Sequence, residues 1–168
     1  VSHSLRIIGF DPGLIRTGWG VIECQGNSLK HVAHGTVSPP KDLDFSERLK
    51  FLFEKLMSIL QSYTPREAAV EETFVNKNPT STLKLGMARG VVMLAPAQFG
   101  LRVGEYSANR VKKTVVGVGH AEKDQVLMMV RRLLPTSNCQ EVDAADALAV
   151  AICHGHFLQT QERWGTVA

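Results

Sequence analysis

A chain of 168 residues, 44% of them hydrophobic and 21% charged, has the length of one domain and an ordinary globular composition, which excludes disordered and fibrous classes. Its formal charge of +3 is too small to name a partner by itself, and no apolar run is long enough to span a bilayer. Cys24, Cys139 and Cys153 have neither zinc-site nor disulfide spacing and the start lacks a signal-peptide pattern, so a reducing compartment, the cytoplasm, is expected.

In chain order, Leu5 to Phe10 is an apolar, β-branched run that stops at Asp11-Pro12-Gly13, so a strand ends at a carboxylate and a turn. Gly18 to Glu23 and His31 to Val37 are two further strands around a Gly26-Asn27-Ser28 turn, and the three together suggest an antiparallel meander. After Pro39-Pro40, Asp44 stands as an N-cap with Glu47 at capping-box spacing. Phe45, Leu49, Leu52, Phe53, Leu56, Ile59 and Leu60 recur at helical steps as far as Tyr63, which predicts a helix covering the sheet.

Ala68 to Glu72 reads as a buried strand with Glu71 or Glu72 as its terminal acid. Thr80 to about Ala95 is helical, with Gly86 and Gly90 four apart so that a partner element can approach, and Pro96 should end or kink it. Packing of that helix on the sheet is the simplest expectation. Leu101 to Tyr106 is a fifth strand, and Ser107 to Val116, Glu122 to Leu134 and Val142 to about His156 are helices. Residues 1–157 are expected to form one domain and 158–168 a flexible tail. The order of elements fits an α/β ribonuclease H-like fold, a five-stranded mixed sheet flanked by helices.

Between Arg102 and Arg132 stand seven basic residues against three acids, a run that suits either a solvated surface or a phosphate-binding one. Four acids ask for a common explanation: Asp11 and Glu71 at strand ends, and Asp143 with Asp146 in an alanine-rich helix. Residues three apart on a helix share a face, and two like charges there repel unless a cation lies between them. Mg²⁺ takes carboxylate oxygens and keeps several waters, and phosphodiester hydrolysis is aided by two such ions. Singly, each acid has a structural reading: Asp11 as a turn former, Glu71 as a surface residue, Asp143 as a favourable charge at a helix start.

Gly9-Phe10-Asp11-Pro12-Gly13 followed by Thr17-Gly18-Trp19-Gly20 resembles the first motif of the RuvC-type Holliday junction resolvases. Val70 to Asn78, Lys84 to Gly90, Val111 to Lys123 and Asp143 to Ala149 resemble the later ones, in order, over Ile7 to His154. The resemblance implies a homodimeric, Mg²⁺- or Mn²⁺-dependent endonuclease with two ions per site. Such an enzyme nicks opposed strands of a four-way DNA junction symmetrically, leaves 5′-phosphate and 3′-hydroxyl ends, and works beside a branch-migration helicase in recombination and repair. It selects Glu71 over Glu72 and assigns Asp11, Glu71, Asp143 and Asp146 as catalytic metal ligands, with Lys112 and Lys123 as catalytic cations. It further implies Phe74 as a wedge against junction bases, Lys77, Arg89 and Lys113 as DNA contacts, and the helix with Gly86, Met87 and Gly90 as the dimer-forming one. His154 and His156 read as solvent-facing. Two other readings remain: a junction-binding protein without turnover, and a phosphate-binding ATPase module of the actin and sugar-kinase kind, which needs two such lobes.

Overall fold

The computed structural model describes residues 4–73 and 77–165, the last four of these by backbone alone. The described residues form strands β1 (Leu5–Asp11), β2 (Thr17–Gln25), β3 (Ser28–Val37), β4 (Glu67–Glu71) and β5 (Val103–Tyr106). With them are helices α1 (Phe45–Tyr63), α2 (Pro79–Gln98), α3 (Ala108–Val116), α4 (Lys123–Leu133) and α5 (Val142–Gly165). The strands make one sheet in the order β3-β2-β1-β4-β5. β1 pairs antiparallel with β2, and β2 with β3, whereas β1/β4 and β4/β5 are parallel. The mixed sheet expected from the sequence is the one observed.

Strand alternation sorts the side chains onto two faces. Ile8, Phe10, Ala68 and Val70 bury one face against Leu52, Leu56 and Leu60 of α1 and Val92 of α2. Ile7, Ile22 and Ala69 bury the other against α5, whose Ala144, Ala145, Leu148 and Ile152 are fully enclosed. α3 and α4 close over the far side of α5 with Val111, Val115, Val126 and Val130. A helix that is apolar all round belongs between two layers, and α5 lies between the sheet and the α3/α4 pair.

Several local expectations need correction. Asp44 occupies the N-cap of α1, but its side chain makes no capping bond. Among the described residues nothing lies against Gly86 and Gly90, and Leu83, Met87 and Leu94 beside them are exposed, so this face of α2 is turned away from the sheet. Ala88, Val92, Ala95 and Pro96 make its inward face instead. α2 passes Pro96 and stops within a turn of it, at Gln98. α5 continues beyond His156 to Gly165, so residues 158–165 are helical rather than tail. Phe157 and Leu158 still pack on the core. His154 is buried, not solvent-facing: its Nδ1 meets the Tyr106 hydroxyl at 2.7 Å and its Nε2 meets Glu67 at 3.2 Å. His156 is exposed as expected.

Candidate active site

β1 and β4 run side by side with Phe10 opposite Val70, so the next residues, Asp11 and Glu71, end the two central strands as neighbours. Phe10 and Val70 face α1, and alternation therefore turns Asp11 and Glu71 toward α5. Glu72 follows the strand and is exposed. Pleat thus brings Glu71, and not Glu72, to the α5 side beside Asp11.

α5 reaches the same place because glycines let it. Asp11 pairs with Gly18 of β2, and a Cβ on Gly18 would stand 2.0 Å from the Asp143 carbonyl oxygen. A Cβ on Gly9 would stand 2.2 Å from the carbonyl oxygen of Ala147. The first turns of α5 lie directly on bare strand backbone. Asp143 and Asp146 are thereby delivered beside Asp11. Arg16, in the turn after β1, sends a guanidinium nitrogen to 3.7 Å from Asp143.

Asp11, Glu71 and Asp146 line one cavity of about 180 Å³ together with Lys112, Lys123, Ala108, Val111 and Val126. Its apolar wall strengthens every electrostatic interaction inside. Burial, then the Glu71 carboxylate, push Asp11 up to about 8; a proton on Asp11 is shared in a hydrogen bond with Glu71, and the charge of Asp143 adds to the rise. Glu71 is raised as well, chiefly by burial, with the hydrogen bond from Asp11 and the charges of Lys112 and Lys123 opposing. Burial and then the Asp11 charge push Asp146 up to about 6. Lys123 opens α4, an end of a helix that disfavours a cation, and its Nζ is 3.7 Å from Asp146. That ammonium is a counter-charge to a surplus of carboxylates.

Among the described residues no three His, Cys, Asp or Glu side chains yet stand at metal-holding distances. The donor set nevertheless suits a hard divalent cation. All its donors are oxygens, and burial and mutual repulsion lift Asp11, Glu71 and Asp146 above the usual carboxylate range, as missing positive charge does.

The remaining expected residues are dispersed. Lys112 is in the cavity, whereas Lys113 and Lys77 are exposed outside it. Phe74 lies outside the described residues. Arg89 turns into the protein: its guanidinium pairs with Glu105 and its Nε donates to the Glu71 carbonyl at 3.4 Å. Gly9, Gly18 and Arg16 carry site geometry that residue chemistry alone did not assign to them.

The family model described as "Crossover junction endodeoxyribonuclease RuvC" matches residues 7–154. A crossover junction endodeoxyribonuclease RuvC of Bradyrhizobium diazoefficiens is 60% identical over 95% of this chain and 91% of its own length. One of Rhizobium meliloti is 58% identical over 95% and 94%. Among solved structures, Thermus thermophilus RuvC in complex with a Holliday junction substrate superposes with a TM-score of 0.86 at 29% identity, covering 93% of this chain and 96% of that one. The yeast mitochondrial Holliday junction resolvase Ydc2 shares the fold at 11% identity, with a TM-score of 0.66.

Proposed function

Because this chain belongs to the crossover junction endodeoxyribonuclease RuvC family, and is therefore a Holliday junction-resolving nuclease, we propose that Asp11, Glu71, Asp143 and Asp146 are the acids that carry its catalysis. The observation that carries the assignment is the shared cavity, in which Asp11, hydrogen-bonded to Glu71, meets Asp146, Lys112 and Lys123. The chemistry of the family requires a divalent cation; we take it to be Mg²⁺, with Mn²⁺ able to replace it, and two ions per site. When bound, such ions activate the attacking water and stabilise the leaving oxygen.

The four acids are the side chains that would hold them. Asp11 would give up the proton it shares with Glu71, leaving both carboxylates as acceptors. Lys123 would release Asp146 and, with Lys112, face the phosphate, where a fixed cation stabilises charge that grows in the transition state. Arg89, besides contacting DNA, acts through Glu71, holding the end of β4 in place while Glu105 holds Arg89. Lys77, Lys113 and Phe74 extend the DNA surface, Phe74 by stacking on an unpaired base, worth about 1–3 kcal/mol.

Symmetric cutting, leaving 5′-phosphate and 3′-hydroxyl ends, needs two sites related by a two-fold axis. The exposed stripe Leu83, Met87, Gly90 and Leu94 on α2 supports a homodimer through that face. A branch-migration helicase as partner, and residence in the cytoplasm, follow from the family reading; no helix among the described residues is long and apolar enough to cross a membrane.

The test is Asp11→Asn, assayed on a synthetic four-way junction with and without Mg²⁺. Junction binding should persist while nicking falls by about 10³-fold or more, the scale of losing a group on which the reacting charge depends. Undiminished nicking by this variant sinks the assignment.

A further inference from the structure

The turn between β1 and β2 leaves the sheet at Asp11 and is braced from within. Pro12 and Thr17 are buried, and a Cβ on Gly13 would stand 2.1 Å from the Arg16 carbonyl oxygen, so the chain doubles back tightly across that glycine. The Leu14 carbonyl accepts a hydrogen bond of 3.1 Å from the Arg48 guanidinium on α1, and Leu14 lines a small hollow with Phe45, Leu49 and Leu52. Ile15 and Arg16 are the exposed residues of the turn. Arg16 therefore combines a fixed backbone with a side chain that can move.

That side chain is turned toward an acid of the site. One guanidinium nitrogen stands 3.7 Å from Asp143, beyond hydrogen-bonding distance, and an ion pair between groups this exposed adds little to stability. Asp146 has its own cation, Lys123, also at 3.7 Å. Asp143 and Asp146 share a face of α5, so the order across that face is Arg16, Asp143, Asp146, Lys123. Lys123 and Lys112 belong to the cavity that holds Glu71, on the β4 side of β1, whereas Arg16 stands on the β2 side, where Asp143 abuts Gly18. The acids are bracketed by cations on both flanks.

A DNA strand carries a phosphate at every nucleotide, so one that presents a phosphate to Lys112 and Lys123 brings a neighbouring phosphate to the other flank. A guanidinium matches phosphate with two parallel donors, a geometry that the long contact with Asp143 leaves unused.

Resting on the assignment of the four acids as metal ligands, we propose that Arg16 is a further substrate-binding residue. In the DNA-free protein it counters the charge of Asp143, and in the complex it grips the phosphate next to the scissile one on the β2 flank. Metal at the site claims the Asp143 carboxylate, and the released guanidinium passes to the DNA. One side chain thereby couples the loading of metal to the seating of the strand.

The test measures binding rather than cutting, in the whole protein. With Ca²⁺ in place of Mg²⁺, Arg16→Ala should flatten the plot of log junction affinity against log salt by about 0.9, one phosphate contact, while Arg16→Lys keeps the parent slope. Without DNA, Mn²⁺ followed by electron paramagnetic resonance should bind Arg16→Ala about threefold more tightly than the parent, because a positive charge has left the site. Loss of a merely structural contact would not tighten metal. Should Arg16→Ala fail to fold, as judged by circular dichroism, Arg16→Gln takes its place. A parent slope in the neutral variant, or Mn²⁺ bound no more tightly than by the parent, would overturn the proposal. Asp143→Asn separates this from the reading beneath it: parental Mn²⁺ affinity there removes the ligand assignment and the proposal together, whereas weakened Mn²⁺ binding beside an unaffected Arg16→Ala removes the role of Arg16 alone.

Discussion

Gly18→Ala adds a single methyl group at the point where β2 and α5 touch. That Cβ would stand 2.0 Å from the Asp143 carbonyl oxygen, 2.5 Å from its carbonyl carbon and 3.2 Å from the Ala144 nitrogen. A carbon and a carbonyl oxygen rest about 3.3 Å apart even in close contact, so the start of α5 must retreat by about 1.3 Å. Backbone lies on both sides of the clash, so no side chain can rotate away. Overpacking of this kind costs about 1–3 kcal/mol, and 2 kcal/mol lowers Tm by about 4–8 °C in a domain of this length. The effect on chemistry should be larger, because the displaced segment carries Asp143 and Asp146, and a shift of about 1 Å at a reacting centre costs on the order of 100-fold in rate. Thermal melting and single-turnover nicking of a four-way junction at saturating protein measure the two effects separately. A Gly18→Ala protein that melts and cuts like its parent would refute the account of how α5 is seated.

Three further outcomes can be checked. Lys112→Ala should weaken junction binding and flatten the plot of log affinity against log salt by about 0.9, one phosphate contact; an unchanged slope removes Lys112 from the DNA surface. Met87→Glu places a charge in the exposed stripe of α2, where light scattering should report a monomer and junction cuts should lose their pairing while circular dichroism stays the same. For His154, burial holds the ring below its usual value of 6.5, so the folded protein takes up its proton less readily than the unfolded chain. Stability is then fully present above about pH 6.5 and lost as pH falls below it, and Tm should drop more steeply from about pH 7 to about pH 5 in the parent than in His154→Gln.

What the sequence disclosed, and what it hid, follows the range of the interactions involved. The end of β1 at Asp11 was legible because proline and glycine stop a strand locally, and the α1 face was legible because Leu52, Leu56 and Leu60 repeat at helical steps. Glu71 could not be told from Glu72 by spacing, since the decision rests on a β1/β4 register between residues some sixty apart in the chain. Gly18 and Gly9 were visible as residues but not as contacts, because an absent side chain says nothing of what fills its place. His154 was misread from its nearness to the end of the chain, when this part of α5 still lies against the sheet, with Tyr106 and Glu67 beside the ring. That Arg89 also reaches Glu105 and the Glu71 carbonyl was hidden for the same reason, since both partners are distant in sequence.

The seating of α5 against β1 and β2 also governs timing during synthesis. Asp11 and Glu71 emerge early, but until the stretch from Val142 onward leaves the ribosome they have neither their carboxylate partners nor the apolar helix that covers their side of the sheet. Nascent chains at that stage expose Ile7, Ile22 and Ala69, surface that invites aggregation or a chaperone. On the proposed roles of Asp143 and Asp146, cutting power should arrive late and all at once, and a chain stopped before Val142 should leave a four-way junction uncut.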